Sequence, residues 1–275
     1  MKPIINPASE KILLMVSKRL PQALLLTGES GVGLSTIGRY IAELHKVVPM
    51  IILPEKDEKI DIDKGVISVD SMRHLFNETR TKTVGNRIII IDYAERMTHQ
   101  AQNAFLKLLE EPGKDIHFIL ISHSVSKLLP TILSRTEILD IRPITIEQSE
   151  KLLDLLKVAD KIKRSQLLFM ATGRPAELTR LASDDVYFDK RSMTVRDARE
   201  LLRGNLYQKL LIAQRYKDDR ASALMLLIDM ASILKRSITD HPQIDTISRI
   251  DAVLDAYQRI EANGNIRLCL ARMII

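Results

Sequence analysis

The residues with the clearest chemical meaning lie between 23 and 36, where an apolar stretch runs into a glycine-rich loop. The positions of this loop that could contact a phosphate or its Mg²⁺ are Gly28, Gly31, Gly33, Ser35 and Thr36. Such glycines let backbone N–H groups surround an anion at a helix N-terminus. The lysine that normally follows the last glycine and contacts the β- and γ-phosphates is replaced by Leu34. The loop therefore predicts the scaffold of a nucleotide site without its main cation.

A second candidate is Asp92, which follows four consecutive isoleucines at 88–91. A continuous apolar run of this length predicts a strand buried on both faces, as in a parallel sheet. An aspartate after such a strand is where a Walker-B motif holds Mg²⁺. Active ATPases of this kind place a glutamate next, to orient the attacking water, whereas this chain has Tyr93. We interpret Asp92 as a Walker-B aspartate in a site that no longer works; the alternative is a residue that only ends the strand.

The composition, with 45% hydrophobic and 28% charged residues among 275, is that of a folded globular protein. A net charge of +6 permits contact with nucleic acid without requiring it. The single cysteine and the scattered histidines predict neither a disulfide framework nor a metal site. No apolar run has the length of a membrane span, and no signal-peptide core is present, so we expect a cytoplasmic protein without membrane contact.

The order of predicted elements divides the chain into three parts. Strands and helices alternate up to residue 142, which predicts a doubly wound α/β domain over 1–142, with a short strand at 66–69. Residues 143–188 have an all-helical pattern and form the second predicted part. The third part, 189–275, is expected to contain about four long amphipathic helices, at 194–217, 219–237, 246–262 and 265–274.

Several segments resemble, in the right order, the AAA+ subunits of bacterial clamp loaders. The most recognisable is Asn103-Ala-Phe-Leu-Lys-Leu-Leu-Glu-Glu-Pro112, at the end of a Walker-B region. The others are a sensor-1 strand at 118–123, a Ser-Arg-Cys box at 129–136 with Thr136 in place of the cysteine, a sensor-2 segment at 171–178 and a collar end at 265–270. The resemblance implies that the three predicted parts are an AAA+ P-loop domain, a small helical lid and an all-α collar that mediates assembly.

Within this family, Leu34 and Tyr93 distinguish between types of subunit. The gamma/tau motor subunits keep the lysine and the Asp-Glu pair, so the chain resembles the delta-prime type of the DNA polymerase III clamp loader, which commonly lacks ATPase activity. The resemblance implies a role in DNA replication with gamma/tau and delta subunits, a sliding clamp and primer–template DNA. It implies no resident cofactor, although binding of ATP and Mg²⁺ without turnover stays open. The four-cysteine zinc module of most such subunits is absent, since 47–69 contains no cysteine.

The Ser-Arg-Cys box makes Arg135 the residue to which the resemblance assigns a catalytic role. An arginine at a subunit edge reaches the γ-phosphate bound by the neighbouring subunit and stabilises the charge of the transition state. We therefore predict that Arg135 is an arginine finger acting in trans. The alternative is an ion pair with Glu137 or Asp140, or a solvated side chain.

Arg174 matches the sensor-2 position and would contact nucleotide bound by its own chain. The alternative is that Arg174 caps a helix or pairs with Glu177. Together with the loop residues and Asp92, it completes the predicted degenerate nucleotide site. Two other functions stay open for the whole chain. One is a gamma-like AAA+ ATPase that is active or binds nucleotide, and the other is a stand-alone nucleic-acid-binding AAA+ relic.

Overall fold

The computed structural model describes residues 2–62, 64–80, 85–111, 113, 115–240 and 244–274. Pro112, which ends the most recognisable motif, lies outside these residues. The chain forms two compact units, which divide between Arg180 and Leu181. The finer division at 142 and 188 stays a prediction.

The first unit contains a five-stranded parallel sheet. The strands of this unit are β1 (Ala23–Thr27), β2 (Met50–Ile52), β3 (Glu55–Lys56), β4 (Lys59–Ile60), β5 (Arg87–Ile91), β6 (Ile116–Ser122) and β7 (Glu137–Asp140). All except β3 and β4 join the sheet, in the order β2-β5-β6-β1-β7, and every pair in it is parallel. The predicted parallel α/β architecture is therefore confirmed.

Helices cover both faces of the sheet. The helices that begin in the first unit are α1 (Pro7–Lys18), α2 (Leu34–Leu44), α3 (Val69–Arg80), α4 (His99–Glu110), α5 (Pro130–Leu133), α6 (Ile146–Leu155), α7 (Lys161–Ala171) and α8 (Pro175–Ser183). Alternate strand residues face two separate cores: Ile89 packs in the core that includes α3 and α4, and Ile90 packs in the core that includes α1 and α2. Burial on both faces explains why β5 is a continuous apolar run.

The segment between β2 and β5 differs from the prediction in two places. The short strand expected at 66–69 is absent, since Val66 and Ile67 form only isolated bridges and α3 already begins at Val69. The Ser68 hydroxyl accepts a hydrogen bond from the Ser71 N–H at 3.2 Å, which ends the extended stretch by capping α3. Earlier in the segment, β3 and β4 form an antiparallel hairpin that the sequence analysis did not predict.

The second unit is built of helices. They are α9 (Asp185–Arg203), α10 (Leu206–Arg215), α11 (Arg220–Asp240), α12 (Ile244–Glu261) and α13 (Ile266–Ile274). The single helix predicted at 194–217 is wrong, because α9 ends before Gly204 and a new helix starts after Asn205. Asn205 and Gln208 form a capping box, in which each side chain accepts a hydrogen bond from the backbone N–H of the other.

No helix among the described residues combines the length and apolar content needed to cross a membrane.

The core of the second unit includes two polar contacts. Arg191 donates two hydrogen bonds to Asp229, at 2.6 and 3.0 Å, and both side chains are almost fully buried. The Tyr216 hydroxyl donates to buried Asp197 at 3.0 Å, and burial together with this carboxylate raises the pKa of Tyr216 to about 12. These contacts join α9 to α11 and to the end of α10, so they fix the relative positions of these helices.

We predict that Asp229→Ala lowers the free energy of unfolding by about 3–5 kcal/mol, because it leaves the Arg191 guanidinium buried without its carboxylate. The matched control is Asp255→Ala, which removes an exposed partner of Arg259 and should leave the unfolding midpoint nearly unchanged. Urea denaturation of the two variants measures the difference. Equal effects of the two substitutions would contradict the structural role given to the buried pair.

Candidate functional site

The glycine-rich loop joins the carboxyl end of β1 to the N-terminus of α2, as the sequence predicts. Gly33 precedes α2 with a φ of 91°, a left-handed conformation that favours glycine. Gly28 lies against the chain after β7, where a Cβ atom would approach the Ile141 carbonyl oxygen to 2.6 Å. The backbone of the loop therefore has a geometry that requires glycine at these two positions.

Leu34 occupies the position of the missing lysine and is only 1% exposed. Its side chain belongs to the core between α2 and the sheet, with Leu24, Val32 and Ile37 among the members of that cluster. Burial of a leucine there stabilises the fold by about 2 kcal/mol. Burial of a lysine ammonium group at the same place would destabilise the fold, because the charge would lose its hydration. This position therefore contributes to folding and supplies no charge to the loop.

The two residues that would hold Mg²⁺ in an active loop contact each other. Asp92 is 4% exposed, and it receives hydrogen bonds from the Ser35 hydroxyl and from the Tyr93 N–H, the latter at 3.0 Å. Burial raises the pKa of Asp92, and these hydrogen bonds oppose that shift only in part. Thr36 is exposed on the first turn of α2. The predicted neighbours Ser35 and Asp92 are thus brought together.

The sensor-2 segment lies on the glycine-rich loop. The Gly31 carbonyl accepts a hydrogen bond from the Ala176 N–H at 2.9 Å, in the first turn of α8. A Cβ atom at position 31 would lie 3.0 Å from the Cβ of Glu177 and 3.2 Å from that of Arg174. The Arg174 guanidinium itself donates a hydrogen bond to the Met170 carbonyl in the last turn of α7. The loop backbone and the start of α8 are therefore in direct contact.

His123 and Glu95 also belong to this site, although the sequence analysis did not single them out. The His123 Nδ1 atom lies 3.0 Å from the Gly28 carbonyl oxygen, and because that oxygen can only accept, Nδ1 is the donor. Glu95 Oε1 accepts a hydrogen bond from the His123 N–H at 3.3 Å. The available signal was topological: β6 and β1 are parallel neighbours, so the residue after β6 meets the loop after β1.

Arg135 follows α5 and contacts the end of α4. Its NH2 group lies 3.0 Å from Glu110 Oε1, and its NH1 group donates to the Thr131 carbonyl at 3.2 Å. The side chain is 41% exposed. The ion pair considered in the sequence analysis thus forms with a different carboxylate, neither Glu137 nor Asp140.

Within the described residues, no group of three or more His, Cys, Asp or Glu side chains is placed to hold a metal ion.

We predict that Asp92→Asn makes the protein more stable at neutral pH. The folded-state pKa of Asp92 is raised, so the folded chain binds the proton more tightly and loses stability as the pH rises through that pKa. Asparagine removes this penalty and keeps an acceptor for the Tyr93 N–H. The gain should shrink as the pH falls towards 3.8, the ordinary value of the group.

Urea unfolding at neutral and at acidic pH measures this difference. Asp70→Asn, at an exposed carboxylate, is the control for loss of one negative charge. If the Asp92→Asn variant is less stable than the wild type at neutral pH, a cationic environment stabilises the Asp92 carboxylate, contrary to the prediction.

The comparisons with known proteins agree with the motifs. A family model described as "DNA polymerase III, delta subunit" matches residues 45–145. The DNA polymerase III subunit delta' of Bacillus subtilis is 25% identical over 259 residues, covering 85% of this chain and 75% of that protein. The corresponding subunit of Haemophilus influenzae is 32% identical over 128 residues, covering 44% of this chain and 38% of that protein.

Among solved structures, a DNA polymerase III gamma subunit-related protein from Thermotoga maritima superimposes with a TM-score of 0.59. The two share 19% identity, and the match covers 97% of each chain, which supports the fold. The sheet, the glycine-rich loop and the order of the motifs, together with these relatives, show that the chain is similar to the AAA+ subunits of clamp loaders.

Proposed function

We propose that this chain is a delta-prime-type subunit that does not hydrolyse ATP and acts on its neighbours in a replicative clamp loader. In this role it assembles with gamma/tau and delta subunits and supplies Arg135 to the nucleotide site of an adjacent motor subunit. The assembly then places a sliding clamp on primer–template DNA. The delta' relatives support this assignment, and the residues of the loop support it independently.

The observation that carries the proposal is the burial of Leu34. Phosphoryl transfer depends on positioned positive charge, and loss of such a group costs orders of magnitude in rate. Leu34 is part of the core, Ser35 bonds to Asp92, and Tyr93 stands where a water-orienting glutamate would be. The residues at these positions do not fit the binding of ATP with Mg²⁺, so we assign no hydrolytic step to this chain.

Arg135 meets the requirements of a group that acts on a neighbouring subunit. It is exposed, its guanidinium is planar and permanently charged, and it lies at the end of a short helix. Arginine fingers contribute about 10³–10⁵ in rate by stabilising the charge of the transition state. The contacts with Glu110 and Thr131 do not use all five N–H donors of the guanidinium, which leaves N–H groups for a phosphate.

The second unit offers an apolar surface for assembly. Five large side chains are exposed on α10 and α13, namely Leu206, Tyr207, Leu210, Leu211 and Leu268. Large apolar side chains grouped on adjacent helices are typical of protein interfaces. We propose that this surface packs against the corresponding helices of the other clamp-loader subunits.

The trans role is tested by Arg135→Ala in a complex reconstituted with gamma/tau and delta subunits. We expect the mass of the complex to be unchanged and its DNA-stimulated ATPase to fall several-fold, because one motor site loses its finger. The matched control is Arg73→Ala, which removes another exposed arginine paired with a carboxylate. Wild-type ATPase in an intact Arg135→Ala complex would refute the finger.

Assembly is tested by Tyr207→Asp, which places a charge among the exposed apolar side chains of α10. We expect this variant to fold normally and to weaken association with the other subunits at least tenfold, since a buried charge would go unpaired. Ile162→Asp, at an exposed apolar residue of α7, is the control and should assemble like the wild type. Mass photometry over a dilution series distinguishes the two. Normal assembly of the Tyr207→Asp variant would exclude this surface.

A further inference from the structure

The motif Asn103–Glu111 contains an acidic end that the proposed function has not yet explained. Glu110 is the last residue of α4, and Glu111 follows it. A carboxylate at a helix C-terminus is placed against the helix dipole, which favours cations there. Helix stability therefore does not account for an acidic residue at this position, and a partner for it has to be sought elsewhere in the fold.

That partner is Arg135, which lies 25 residues further along the chain. Its NH2 group contacts Glu110 Oε1, at the last residue of α4, at 3.0 Å. Two further acceptors come from α5 and the residue after it: the Thr131 carbonyl at 3.2 Å and the Ser134 hydroxyl at 3.5 Å. The guanidinium is thus held between the ends of two helices rather than left free on a flexible stem.

The same two helices are also tied together at the other end of α5. Buried Gln102, on α4, donates hydrogen bonds to the carbonyls of Met97 and Lys127, at 3.3 and 3.0 Å. Its Oε1 accepts the Leu129 N–H at 2.8 Å, immediately before α5 begins. Gln102 therefore fixes the start of α5 on α4, and Glu110 contacts Arg135, the second residue after the end of α5.

We propose that Glu110 is a positioning residue for the arginine finger, which it holds in one orientation at the subunit edge. This inference rests on the proposed trans role of Arg135 and adds how the finger is prepared for it. A long arginine side chain loses rotamer freedom when it engages a phosphate, and prior fixation removes that loss from the catalytic step. Because the pair is exposed, it contributes little to folding, so the effect of Glu110 should appear in the rate.

The test uses the complex reconstituted with gamma/tau and delta subunits and three variants of this chain. Glu110→Ala should lower kcat of the DNA-stimulated ATPase about fivefold, with KM for ATP and the melting temperature unchanged. Glu110→Gln keeps an oxygen that accepts from the guanidinium and should restore most of the rate. Glu111→Ala removes the neighbouring exposed carboxylate and should behave like the wild type.

Three results would overturn the inference in distinguishable ways. A wild-type kcat for Glu110→Ala, in a complex where Arg135→Ala is defective, would remove Glu110 from the mechanism and leave the finger intact. A higher kcat or a lower KM for Glu110→Ala would show that Glu110 restrains the finger instead of positioning it. If Arg135→Ala itself has no effect, the trans role fails, and the role of Glu110 fails with it.

Discussion

The apolar contact that Leu34 makes with the core beneath α2 is the constraint on which the account of the loop depends. In a working phosphate-binding loop, this position carries a charge out to the ligand. Here it is 1% exposed and helps to anchor α2 on the sheet. The strand, the glycines and the helix that form a phosphate-binding loop are all present, because they are parts of the fold. The position of the phosphate-contacting lysine is instead occupied by a leucine of the core.

Three arginines that the sequence alone does not distinguish differ in their burial and contacts. Arg191 is buried against Asp229 and joins two helices of the second unit. Arg174 bonds the end of its own preceding helix. Arg135 is exposed and is held by acceptors that leave part of its guanidinium accessible. A residue type and its neighbours in sequence do not reveal these differences, because each depends on contacts with distant parts of the chain.

Local patterns were sufficient to predict the sheet. The isoleucine run predicts that β5 is buried on both faces, and the glycines predict the loop between β1 and α2. They failed where a single cap decides the outcome. Ser68 starts α3 early, and Asn205 divides a long apolar pattern into two helices. The partner of Arg135 was also missed, because Glu110 is close only after α4 and α5 pack against each other. Tertiary packing, rather than propensity, sets such contacts.

We propose that the loop after β1 provides no working nucleotide site, and equilibrium binding tests this proposal most directly. Calorimetric titration of the isolated chain with ATP and Mg²⁺, beside a gamma/tau subunit as the positive control, measures the affinity. The account predicts no saturable binding up to about 1 mM ATP, since no lysine contacts the phosphates and Ser35 is bonded to Asp92. Saturable binding with a dissociation constant of about 10 μM or lower would contradict it.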